Sequence, residues 1–189
     1  FGDIPQLSYI NAILNEAMRW QTPIPFAIPR TTTQDDEYKG YHIPSGTVII
    51  PNVWAMMLNP EVFPDQDKFK PERWIENPNL DHSPFGFGRR ICPGRHLGWD
   101  SVFILTARLL WAYNITQSYK DGKRIEVDPW DIELTFTAAP GPFTASFQVR
   151  GSKRQEIIER EWQNVSKDSA QILKDVRRKS EDRSWRTWI

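Results

Sequence analysis

The chain has 189 residues, and its 24 Lys and Arg balance 24 Asp and Glu, for a formal net charge of zero. That length suffices for one domain with a real core, and the charge balance excludes a global basic footprint for nucleic acid. The single cysteine excludes an intramolecular disulfide and a cysteine-only zinc site.

The longest apolar run, Val53 to Leu58, is far short of a membrane span. Nothing at the start reads as a signal peptide. Apolar content of 39% and nine Trp argue for a folded interior rather than disorder. The chain begins at Phe1 rather than Met and reads as helix within a few residues, which predicts a piece of something longer.

Gln6 to Trp20 is predicted as a helix, with Leu7, Ile10, Leu14 and Met18 at helical spacing. Pro23, Pro25 and Pro29 stop it and force extended backbone through Ile28. Tyr38 to His42 reads as a short strand. Pro44-Ser45-Gly46 is a turn signal before a β-branched strand from Thr47 to Ile50. Val53 to Leu58 reads as a short helix. From Asn59 to Pro84 the chain is rich in Pro, Asp and Asn with spaced aromatics, a long irregular segment of the kind that supports a site.

Arg95 to Tyr113 is apolar nearly all round and is predicted as a buried helix. Asp131–Thr137 and Phe143–Val149 read as two strands of one ribbon, joined through Ala-Ala-Pro-Gly-Pro. Ser152 to about Glu181 reads as a helix with a thin apolar stripe of Ile158, Trp162, Val165, Ile172 and Val176. All 15 prolines precede position 143. Residues 1–150 carry a net charge of −3 and residues 151–189 a net charge of +3. The boundary is therefore drawn at residue 151, with a compact part before it and a charged extension after it.

The most informative stretch runs from Phe85 to Gly94, Phe-Gly-Phe-Gly-Arg-Arg-Ile-Cys-Pro-Gly. Its glycines permit tight turns and close backbone approach to something bulky. Cys92 falls at the start of a helix, where unpaired N–H groups and the helix dipole favour a thiolate. Pro93 suits a first helical turn. Arg89, Arg90 and Arg95 add positive charge. Such a thiolate suits a nucleophile or a metal ligand. A lone cysteine is most often an inert buried hydrophobe, but the surrounding pattern overturns that reading here.

Phe85, Gly88, Arg90, Cys92 and Gly94 together resemble the haem-ligand signature of the cytochrome P-450 family, the haem-thiolate monooxygenases. The resemblance implies that Cys92 is the axial ligand of haem iron, that Arg90 pairs with a haem propionate, and that Phe85 packs beside the ligand loop. Gly88 and Gly94 belong to the same cofactor-binding loop. Arg30 stands where the family often places a second propionate-binding residue; a surface arginine at a strand end is the equal alternative.

Glu16-Ala17-Met18-Arg19 resembles the family's Glu-x-x-Arg, whose side chains share a helix face. Arg73, in Pro71-Glu72-Arg73-Trp74, is implied to complete a buried structural triad with Glu16 and Arg19. Phe26, Ile28, Phe136 and Ala138 fall where the family's chain passes the substrate pocket, although plain core is the commoner role for such residues. His42, His82 and His96 lack metal-ligand spacing; His96 falls near a propionate in some family members. Gly98 departs from the alanine common at its position.

The order of features extends the resemblance over residues 3–150. It implies an α+β fold, mainly α with small β-sheets: the C-terminal, proximal part of the cytochrome P-450 fold over 1–150, plus a helical extension over 151–189. The family fold is more than twice this long. The resemblance therefore places the N-terminal membrane anchor, the substrate-covering segments and the central helix with its acid–alcohol pair outside this chain. It implies a parent protein anchored on the cytoplasmic face of the endoplasmic reticulum, and a 189-residue chain inactive on its own.

The implied function is oxidation of a small apolar molecule with haem, dioxygen and electrons from a reductase. Lys68, Lys70, Arg73, Arg89 and Arg95 could steer an acidic redox partner. Two alternatives remain: a haem-thiolate peroxide isomerase or dehydratase that needs no reductase, and a non-enzymatic interaction protein acting through residues 152–181. For that extension, a solvated tail stands beside a helix docking on a partner or an anionic membrane surface.

Overall fold

Helix α1 (Ser8–Trp20) opens the described chain. The computed structural model describes residues 6–80, 83–165, 167–172 and 174. The face that α1 buries is Ala12, Leu14, Glu16 and Arg19. The expected stripe of Leu7, Ile10, Leu14 and Met18 is therefore rotated: Leu7 is exposed, and two charged residues take buried positions. Gln21 leaves helical geometry, and Pro23 prevents the helix from resuming.

The proline stretch turns at Ala27, whose φ of 48° is left-handed and whose N–H donates to Ile24 O. It leads into β1 (Arg30–Thr31), which pairs antiparallel with β4 (Val48–Ile49), Arg30 facing Ile49. The expected strand at Tyr38–His42 is instead a hairpin. Here β2 (Asp36–Tyr38) pairs with β3 (Tyr41–Ile43). Lys39 and Gly40 both take positive φ at the turn, the geometry that matches the twist of paired strands.

Helix α2 (Val53–Met57) is capped by Asn52, whose side chain accepts from Ala55 N–H. Trp54 N–H donates to Pro25 O and ties α2 to the proline stretch. Within the irregular segment, α3 (Arg73–Glu76) is a single turn. Ala12, Val53, Met57, Phe63 and Trp74 form the core, with Ala27 and Leu80 packed against it.

Helix α4 (Arg95–Ala112) has the expected extent but not the expected burial. Phe103 and Ala112 are buried, whereas Leu97 is 75% and Leu105 60% exposed. A helix apolar on every side needs packing surfaces on every side. Beyond it, β6 (Tyr119–Lys120) and β7 (Lys123–Arg124) form a small hairpin. The predicted ribbon of 131–137 with 143–149 is repaired differently. Strand β8 (Ile132–Leu134) pairs with β9 (Ala138–Pro140), and β10 (Ala145–Val149) pairs with β5 (Tyr113–Gln117).

The chain divides into two units, residues 1–110 with 116–146, and residues 111–115 with 147–189. In the second, the rings of Tyr113 and Phe147 meet edge-on at 5.8 Å, and Arg150 Nε donates to Tyr113 O. Gly151, with a φ of 98°, precedes α5 (Ser152–Asn164). Arg154 lies over the Trp111 ring. The expected helix to Glu181 stops early. Val165 turns extended, and the Lys167 ammonium covers the Trp162 ring at 4.6 Å. Asp168 caps a new turn by accepting from Ala170 N–H. Val176 and the rest of that predicted helix lie outside the described residues.

Candidate functional site: a buried carboxylate and the Cys92 loop

Glu16 is fully buried and satisfied from both oxygens. Arg19 donates Nε to Oε2 at 2.9 Å and Nη2 to Oε1 at 2.8 Å, a bidentate pair. Arg73 Nε adds a third cationic donor, 3.2 Å from Oε1. Lys70 N–H donates to Oε1 and the Trp74 indole N–H to Oε2. Burial alone would raise the Glu16 carboxyl above its ordinary range. The Arg19, Lys70 and Trp74 hydrogen bonds outweigh that and hold it below the usual value.

The two arginines spend their remaining donors on the irregular segment. Arg19 reaches the carbonyls of Met57, Gln66 and Lys68, and Arg73 those of Pro64 and Asp65. The carboxylate thus pins residues 57–70 to α1 without any regular secondary structure. The family resemblance implied that Glu16, Arg19 and Arg73 come together; it did not include Trp74, although the residue stands beside Arg73 in the same motif. A buried indole needs an acceptor, and that requirement was the available signal.

The Cys92 loop is closed by one backbone bond, from Cys92 N–H to Phe85 O at 2.9 Å. Inside it, Gly86 and Gly88 take φ of 77° and 66°, which L side chains rarely adopt. Gly88–Arg90 form one 3-10 turn that leads to Cys92. Arg95 N–H then donates to Cys92 O at the entry to α4. Cys92 is half-buried.

The loop forms part of the wall of a cavity of about 730 Å³, within the range of small-molecule and cofactor sites. Cys92, Phe85 and Arg90 line it, and Ile24, Ala27, Ile28 and Arg30 line it from the proline stretch and β1. Among the described residues neither Arg30 nor Arg90 has a carboxylate partner. Thiol, free guanidinium groups and apolar walls suit a flat apolar macrocycle that carries carboxylates and a thiolate-binding metal. The donor set fits haem.

Gly88 and Gly94 shape the loop without lining the cavity. Phe26 and Ala138 do not line it either. Phe26 is 58% and Phe136 69% exposed, and Ala138 N–H donates to Pro23 O. Ile24 and Ala27 occupy the wall that Phe26 was expected to form. Arg73 is buried in the carboxylate cluster, so it does not belong to a basic surface. Lys68 pairs with Asp65 and Lys70 with Glu76, while Arg89 is exposed. His42 and His96 are exposed, and His82 lies outside the described residues. Among the described residues no group of His, Cys, Asp and Glu could hold a metal ion as a cluster.

The family model for cytochrome P-450 matches residues 1–145. Curated fungal relatives extend the match. The cytochrome P-450 monooxygenase FrzL of a Cladobotryum species is 50% identical over 161 residues, 85% of this chain and 31% of its own length. Penicillium patulum monooxygenase peniB is 42% identical over 91% of this chain and 32% of itself. Fumitremorgin C synthase of Aspergillus fumigatus is 43% identical over 93% of this chain and 32% of itself. Among solved structures, a zebra fish cytochrome P-450 with abiraterone superposes with a TM-score of 0.72 at 26% identity, over 80% of this chain and 35% of that one.

This chain belongs to the cytochrome P-450 family. Its α+β architecture is a portion of that fold, and haem is the family's cofactor. The chain spans about a third of the length of the curated relatives it matches. A match over 93% of the chain also carries the similarity past residue 150, beyond the reach of the family model.

Proposed function

We propose that the whole protein is a haem-thiolate monooxygenase, oxidising a small apolar organic molecule with dioxygen and electrons from a reductase. The observation that carries this reading is the convergence of Cys92, Arg90 and Arg30 on one apolar cavity. Haem would supply an iron that binds and activates dioxygen, with thiolate ligation favouring O–O cleavage.

The protein's own residues have separable tasks in this reading. Cys92 would hold the iron through its sulfur as a thiolate. Arg90 and Arg30, which line the cavity, would hold the propionates by charge-assisted hydrogen bonds. Phe85, Ile24 and Ile28 keep water from the cofactor's faces. Glu16, Arg19 and Arg73 act in support of the fold, fastening the irregular segment. Arg95 belongs to a basic approach for the reductase, and Arg89 lines the same cavity as Arg90. The parent's attachment to the cytoplasmic face of the endoplasmic reticulum belongs to the same proposal; among the described residues no helix is long and apolar enough to cross a membrane.

Turnover of the full-length protein in labelled dioxygen tests the reading. One labelled oxygen atom in the product, dependent on a reductase, is the expected outcome. Product formed from a peroxide without reductase or label incorporation would favour an isomerase or dehydratase instead.

A further inference from the structure

Three arginines line the cavity, Arg30, Arg89 and Arg90, and no acidic side chain does. Among the described residues none of the three enters an ion pair. The reading above gives the cofactor's propionates to Arg90 and Arg30. Arg89 is then left at the cavity with a positive charge that no carboxylate neutralises, and a guanidinium cannot shed its proton.

The backbone holds that charge in place. Arg89 and Arg90 are the inner residues of one turn, closed by Ile91 N–H donating to Gly88 O at 3.2 Å. This turn lies inside the larger loop that Cys92 N–H closes on Phe85 O. The nested bonds fix the turn relative to Cys92, so the charge is carried with the sulfur. Arg95 differs: its Nη1 donates to Cys92 O at 3.5 Å, and the residue does not line the cavity.

We infer that Arg89 raises the reduction potential of the bound iron, its unneutralised guanidinium favouring the ferrous over the ferric state. The inference rests on the haem-thiolate reading above. In the step concerned the reductase is oxidised by one electron and ferric iron is reduced to ferrous; no bond forms or breaks. The charge of the site falls by one, and a fixed cation nearby favours the state with the added electron. Arg89 is exposed, so water and salt screen the effect. The expected size is about threefold in the equilibrium between the two iron states, or about 30 mV for one electron.

The test is a redox titration of the full-length holoprotein at low ionic strength, with charge varied at this one position. A potential close to the unsubstituted value in Arg89→Lys, lower by about threefold in equilibrium in Arg89→Gln and lower again in Arg89→Glu supports the inference. A potential that does not fall along that series overturns it. Weaker binding of the reductase by Arg89→Gln at an unchanged potential also overturns it, and makes Arg89 a docking residue. The underlying reading is checked on the same unsubstituted protein: a reduced carbon monoxide complex without the red-shifted Soret band of thiolate ligation would overturn that reading instead.

Discussion

The Trp74 indole N–H donates to Glu16 Oε2 at 2.9 Å, joining residues 58 positions apart in the chain. That bond completes a carboxylate whose other donors come from its own helix, from Lys70 N–H and from Arg73. One acidic group therefore organises the stretch of chain that has the least regular structure. Replacing the indole by a phenyl ring removes this donor together with part of the ring that packs in the core. Trp74→Phe is expected to cost about 1.5–3 kcal/mol, the range for a hydrogen bond to a charged group, in urea unfolding of the full-length protein.

Removing the acceptor is harsher. Glu16→Ala leaves Arg19 and Arg73 buried without their carboxylate, and breaking a buried pair in this way costs about 3–5 kcal/mol. The double change Glu16→Ala with Arg19→Ala should cost less than the sum of the two single changes, since the second removes a charge already stranded. Additive costs in a double-mutant cycle would contradict the coupling.

The same carboxylate makes stability depend on pH. Burial opposes its ionisation, but hydrogen bonds from Arg19, Lys70 and Trp74 prevail and hold its folded value below the ordinary 4.5. A carboxyl that binds its proton less readily when folded stabilises fully above its unfolded value and loses that contribution as pH falls through the folded one. The thermal midpoint should therefore hold steady from neutral pH down to the ordinary glutamate range and drop below it. In Glu16→Gln the acid drop should be shallower, measured as the difference between the two pH profiles.

The Cys92 loop depends on left-handed backbone at Gly88, whose φ is 66°. Open space surrounds a Cβ there, so Gly88→Ala tests conformation without a steric clash. The expected cost is about 1–2 kcal/mol, the penalty of left-handed geometry for an L residue. It should appear both in thermal stability and in haem retention, because the loop forms part of the cavity wall.

What could be read from the sequence followed the range of the interactions. Helix α1 was legible from its local periodicity, whereas the Glu16–Arg19 pair, three residues apart, gained meaning only through the family resemblance and the Pro71–Trp74 motif that follows. The Cys92 loop was legible because its residue types stand at set spacing within ten positions. The strand pairings were not. Arg30 pairs with Ile49, and β5 pairs with β10 across some thirty positions, through strands of two to five residues that carry little periodicity of their own. The hairpin at Lys39-Gly40 escaped notice because its turn signal lies inside what reads as a strand. Helix α4 shows the remaining gap: an apolar pattern states what a helix needs to bury, and Leu97 and Leu105 stay exposed among the described residues.

Cys92 is proposed above to bind haem iron as a thiolate. The measurement that tests it most directly is the Soret band of the reduced carbon monoxide complex of the full-length protein, beside that of Cys92→Ser. The strongly red-shifted band is expected for the unsubstituted protein, and its loss in Cys92→Ser. An unchanged red-shifted band in Cys92→Ser would contradict it.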